Sequence, residues 1–140
     1  MLTRLFLPLL IVSLLLAGCS GQKATSNEVT ITLTDFGIQS SITEFKVGVP
    51  YHFVVTNKGQ VPHEIMIMSP LMADQMGMQM DMEELDKMAL AMVKADDLPP
   101  EATKSFDYTF TQAAPAGTLE FACHVPGHYE AGMKLGIVIK

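Results

Sequence analysis

Cys123, His128 and Met133 stand in the segment FACHVPGHYEAGM with four residues between each pair, so one short stretch offers a thiolate, an imidazole and a thioether. Two histidines, one cysteine and a weak axial methionine form a soft donor set that selects copper for electron transfer. The second imidazole must come from elsewhere, and the chain offers His52, His63 and His124. His63 follows the turn Asn57-Lys58-Gly59 and Pro62 and opens an apolar run, which suits a ligand held at the start of a strand. His124 adjoins Cys123, and neighbours on extended backbone point to opposite faces, so the two do not easily share one ion. His52 lies between Tyr51 and Phe53 and faces away from their apolar side. Both are expected to be surface imidazoles. The expected metal ligands are therefore His63, Cys123, His128 and Met133.

Zinc is the rival ion, since His63, Cys123 and His128 with Glu130 or water would also suit it, but methionine is a poor zinc ligand and copper is preferred. Four histidines in the chain do not supply the further copper centres of a multicopper oxidase beside this site. A Cys-His hydrolase needs a third group to orient its base, and none is identifiable, so no enzymatic activity is expected. Nine Lys and Arg against fifteen Asp and Glu give a formal charge of −6, which disfavours a nucleic-acid partner.

The elements that must position these donors are mostly strands. Val29, Ile31 and Leu33 alternate with Thr30, Thr32 and Thr34, the period of a half-buried strand. Tyr51, Phe53 and Val55 form a second such face; the run Ile65 to Met68, the alternation Phe106, Tyr108, Phe110, the pair Leu119 and Phe121, and Leu135, Ile137, Ile139 suggest four more. Ala114-Pro115-Ala116-Gly117 reads as a turn. From about Asp81 to Lys94, apolar Met82, Leu85, Met88, Ala89 and Met92 recur at three or four residues, with acids at the start and a lysine at the end. The sequence thus predicts an all-β sandwich with one short helix inserted around residues 81–94, stopped by Asp96-Asp97-Leu98-Pro99-Pro100.

The first eighteen residues are set apart from that fold. After Arg4, an uncharged run from Leu5 to Leu16 is short for a membrane span but right for a signal peptide. Leu16-Ala17-Gly18-Cys19 resembles the lipobox of bacterial lipoproteins, which implies cleavage before Cys19 and lipidation of its thiol. Residues 19–28 then read as a lipidated polar tether, and residues 29–140 as one domain. The expected location is the cell envelope, anchored to a membrane on the periplasmic side; Ser20, by resemblance to lipoprotein sorting rules, favours the outer membrane in a two-membraned cell. Lipidation of Cys19 leaves Cys123 as a lone exported thiol, which calls for a role such as metal ligation.

From about Val29 to Lys140, the inserted helix excepted, the sequence resembles the cupredoxins, the blue copper proteins that include plastocyanin, azurin and auracyanin. The resemblance rests on NKGQVPHE around His63 and on the loop carrying Cys123, His128 and Met133 between the last two strands. Its four-residue gaps are similar to the longer ligand loops of auracyanin and rusticyanin. It implies a Greek-key β-sandwich, a single type 1 copper, outer-sphere electron transfer between the +1 and +2 states, and a redox protein that docks on a monomer near His128, beside Val125, Pro126 and Pro62. Many members have Asn or Ser after the upstream histidine, whereas this chain has Glu64. Its backbone N–H can still reach the cysteine sulfur, and its carboxylate is expected to face solvent or pair with a lysine.

Nine of the eleven methionines fall between Met66 and Met92. Met82, Met88 and Met92 are expected to pack the inserted helix onto the sandwich. Met72, Met76, Met78 and Met80 are interrupted by polar residues and Gly77, and several thioethers close together hold Cu(I) or Ag(I). They are a candidate second Cu(I) site, and they raise an alternative role in capturing, storing or passing copper in the envelope.

Overall fold

The computed structural model describes residues 27–72 and 80–140. The expected signal peptide, Cys19 and most of the tether lie outside the described residues, as do Met76 and Met78. Two sheets face each other. The first contains β1 (Glu28–Thr34), β2 (Gly37–Ser40), β4 (Pro50–Asn57) and β7 (Thr103–Thr109) in the order β2-β1-β4-β7, with β1 parallel to β4. The second contains β3 (Glu44–Phe45), β5 (Ile65–Met68), β6 (Ala91–Val93), β8 (Ala114–Ala122) and β9 (Lys134–Ile139) in the order β3-β9-β8-β5-β6.

The alternation read from the sequence places the interior. Val29, Ile31 and Leu33 of β1 and Tyr51, Phe53 and Val55 of β4 are buried, while their threonine and histidine neighbours point outward. They meet Ile65, Ile67, Phe121, Ile137 and Ile139 from the second sheet. Phe45 organises the aromatic centre, with ring centroids 5.0 Å from Tyr51, 5.1 Å from Phe110 and 5.8 Å from Phe53. Such offset and edge-on pairs add to the gain from burial.

Strand β5 is buried on both faces, so its run IMIM lacks the alternation of an outer strand. Ile65 and Ile67 face the interior; Met66 and Met68 face outward into a second apolar cluster with Leu85, Ala122 and Tyr129. Leu71, Met80, Met82, Ala89 and Met92, from the chain after β5, pack against that outer face. Asp81 caps α1 (Met82–Met88), its carboxylate accepting the Glu83 N–H at 3.2 Å, and Leu85 is the helix's buried residue.

The helix is shorter than the sequence pattern predicts. It ends at Met88, Leu90 donates its N–H to Ile67 O at 2.7 Å, and Ala91–Val93 become β6, paired antiparallel with β5. The open edge of β5 offers main-chain partners, and three residues satisfied there gain more than one further helical turn. Met82 and Met92 pack on the outer cluster as expected, whereas Met88 is partly exposed. A second difference lies at Ala114-Pro115-Ala116-Gly117, which is the irregular start of β8 rather than a connection. The β8–β9 register shifts between Ala114 and Leu119, with Gly117 at φ +83°, so turn residues bend a continuous strand.

Candidate metal centre

Three donors from two distant stretches converge at one end of the sandwich. His63 Nδ1 lies 3.1 Å from His128 Nδ1, and Cys123 Sγ lies 3.4 Å from His128 Nδ1 and 4.0 Å from His63 Nδ1. A metal held about 2.0 Å from imidazole nitrogen and about 2.3 Å from thiolate needs donors roughly 3–4 Å apart, as these are. His63 and Cys123 are fully buried and His128 is half-buried. Met133, also fully buried, shares the inner core cluster with Cys123. Its carbonyl accepts the Cys123 N–H at 3.0 Å, and its own N–H donates to His128 O at 3.0 Å, so the backbone ties the fourth expected ligand to the other two in the loop.

Why the loop holds this shape follows from its sequence. Pro126-Gly127 turns the chain, with Gly127 at φ +85°, and His128 N–H closes that turn on Val125 O at 2.9 Å. The other half rests on residues that the sequence does not mark as site residues. Asn57, fully buried, donates through Nδ2 to Val61 O at 2.8 Å and Leu98 O at 2.9 Å, and its Oδ1 accepts the Gly59 N–H at 2.8 Å. The turn before His63 is thereby fixed. Asp35, in the β1–β2 turn, accepts Gln60 N–H at 2.8 Å and receives His63 Nε2 at 3.1 Å. This bond puts the proton of His63 on Nε2 and leaves Nδ1 with a lone pair facing Cys123 and His128, the carboxylate–histidine–metal arrangement. Gly59 is required by contact, because a Cβ there would collide with Asp35 Oδ1 and His63 Nε2.

The electrostatics suit a cation that replaces a proton. Burial pushes the Cys123 thiol above its ordinary value, against the pull of two backbone N–H groups, those of Glu64 and Val125, that donate to its sulfur. Burial, with the neighbouring His63 adding to it, holds the His128 imidazole below its ordinary value, so it stays neutral with a lone pair to give. Asp35 is pulled below the usual carboxylate range, chiefly by the Gln60 N–H.

Two expectations are corrected here. Glu64 does not face solvent: it is buried at 2% exposure, and its Oε1 accepts the His124 N–H at 2.9 Å. Burial raises its carboxyl above the ordinary value while that N–H lowers it. His124 is not a surface imidazole either. It points away from Cys123, as strand alternation requires, but onto the covered outer face, where it stacks on Tyr129 at 4.4 Å and is only 7% exposed. The inserted segment roofs that face, which no local pattern around His124 reveals. His52 does lie at the surface, its Nδ1 2.7 Å from Asp107 Oδ1. Met80 packs against the outer cluster and Met72 is largely exposed.

The two-sheet fold recurs in solved structures. The reduced auracyanin of Roseiflexus castenholzii matches with a TM-score of 0.60 over 82% of this chain and 98% of its own, at 19% identity. The fold is cupredoxin-like. Auracyanin B gives 0.60 at 17% identity over 81% and 88% of the two chains, and an azurin from Methylomonas sp. strain J gives 0.51 at 15% over 84% and 99%. No protein-family model matches the chain. Among curated proteins, this cupredoxin-like chain is 27% identical over 135 residues to the copper-resistant cuproprotein CopI of Pseudomonas aeruginosa, covering 77% of the chain and 73% of the relative. It is 31% identical over 97 residues to the copper-resistant cuproprotein CopI of Rubrivivax gelatinosus, covering 66% of the chain and 53% of that relative, so it matches about half of that protein's length.

Proposed function

We propose that this chain is an envelope copper protein with one type 1 centre, held by His63, Cys123, His128 and Met133, that carries electrons by outer-sphere transfer. The convergence of His63, Cys123 and His128, whose donor atoms all lie within 4.8 Å of one another, carries this reading. Copper bound there supplies a one-electron couple between the +1 and +2 states. The chain's own part is to keep the ligands still: Asp35 and Asn57 fix the His63 side, and the backbone bonds among Cys123, His128 and Met133 fix the loop. Little rearrangement means a low barrier. Burial of Cys123, His63 and Met133 excludes water, while half-buried His128 gives the route out, beside exposed Val61, Pro62 and Pro126, where a redox protein docks. Cys19 anchors the domain to the membrane through its lipid, and the tether lets it reach its partner.

The test is a visible spectrum of the protein with Cu(II). An intense thiolate-to-copper band is expected, and Cys123→Ser should abolish it. Colour that survives the substitution, or a colourless wild type, removes the proposal. A second reading, copper capture and delivery, is favoured by the relatives, whose names describe copper resistance. Under it, cells lacking the protein become copper-sensitive although respiratory electron flow is unchanged.

A further inference from the structure

The methionine-rich face of the second sheet holds a polar atom without a partner among the described residues. Nε2 of His124 is buried and has no hydrogen bond to any of them. Its ring lies on Tyr129, at 4.4 Å and 18°. Tyr129 belongs to the outer cluster with Met66 and Met68, against which Met80, Met82 and Met92 pack. Met66 is paired with Ala122, the last residue of β8, on one side and with Met92 on the other, so the strands bring two thioethers to one face, and His124 follows two residues after Ala122. Two buried carboxylates lie nearby, Glu64 on the His124 N–H and Glu120 on the Tyr129 hydroxyl, and the Lys134 ammonium sits 4.3 Å over the Tyr129 ring.

A buried imidazole nitrogen with no partner among the described residues, on the sheet face that carries two thioethers, is a soft donor set. We propose that His124, with Met66 and Met92, forms a second metal site for Cu(I), on the opposite face of the sheet from Cys123. Thioethers and an imidazole are poor ligands for divalent ions with hard preferences, which favour oxygen donors. The proposal rests on copper being the metal this protein meets, but the two sites fail separately. The outer site needs neither Cys123 nor a change of oxidation state, and it gives the copper-handling role a place in the described fold.

The full chain is titrated anaerobically with Cu(I) against a chromophoric Cu(I) chelator. His124→Phe keeps the ring stacked on Tyr129 and removes only the nitrogens, so a merely structural histidine would tolerate it. It should lose one Cu(I) equivalent in the wild-type background and one in the Cys123→Ser background. In the wild-type background it should keep the Cu(II) absorption band, which reports the native fold. Met66→Leu should bind that equivalent at least tenfold more weakly. In 15N-labelled protein, the Nε2 resonance of His124 should shift as the equivalent binds. A Cu(I) count unchanged by His124→Phe in both backgrounds, or an Nε2 resonance that does not move, overturns the proposal. A colourless Cu(II) form with the His124-dependent equivalent intact overturns the type 1 centre and leaves the outer site standing.

Discussion

Asp35 lies 28 residues from the histidine it orients, in a turn with no metal-binding pattern of its own. Its carboxylate fixes the tautomer of His63, so Asp35→Ala should weaken copper binding roughly 10–100-fold, the usual cost of losing such a partner. Competition with a Cu(II) chelator measures this, and the variant should remain folded because Asp35 is otherwise bonded to backbone N–H groups of one turn, those of Gln60 and Val61. An unchanged affinity would mean that burial alone orients the ring. The three donors that the fold brings together could be picked out in the sequence because Cys123 and His128 share one loop and His63 follows a turn. Asp35, Asn57 and Gly59 could not. Their roles exist only once the β1–β2 turn is folded against residues 57–63, and no local spacing encodes that encounter. His124 was misread for a related reason: its alternation away from Cys123 was sound, but the outer face it enters is covered by chain far away in sequence.

At the scale of elements, period-two alternation and the apolar run Ile65 to Met68 located six of the nine strands among the described residues, missing the short β2, β3 and β6, and helical periodicity located α1. What alternation did not reveal was where helix yields to strand. Met88 and Met92 satisfy the helical pattern equally well, yet Met92 pairs with Met66 because β5 presents an unfilled edge. The segment from Asn57 to His63 makes a sharper test of how elements support the centre. Asn57 joins the end of β4 to Val61 and to Leu98, which also accepts the His63 N–H at 3.3 Å. Asn57→Ala would leave buried backbone groups unpaired, each costing about 1–3 kcal/mol. A total loss of about 3 kcal/mol should lower the urea midpoint by roughly 1–3 M at the slopes usual for small domains. The copper band should also shift, since the turn no longer fixes His63. A midpoint within experimental error of wild type would show that water replaces Asn57 at little cost.

For the whole molecule, the centre joins parts of the chain that are far apart in sequence. Asp35 comes from the turn after the first strand, His63 from the connection between the sheets, and Cys123, His128 and Met133 from the loop before the last strand. Local opening of one of these segments breaks the ligand set, and so does global unfolding. Copper that binds the folded state alone must therefore stabilise the whole domain by mass action. At a free concentration a hundredfold above its dissociation constant, the gain is about 2.7 kcal/mol. For a domain of this size that corresponds to a rise in Tm on the order of 10 °C. The rise should depend on copper concentration, vanish with a chelator, and shrink greatly in Cys123→Ser, which weakens the ligand set without opening a large cavity. Calorimetry of the apo and copper-loaded protein checks it. A Tm indifferent to copper would mean that the donors, although close together, do not hold the ion in the folded state, and electron transfer through His128 would then have no centre to start from.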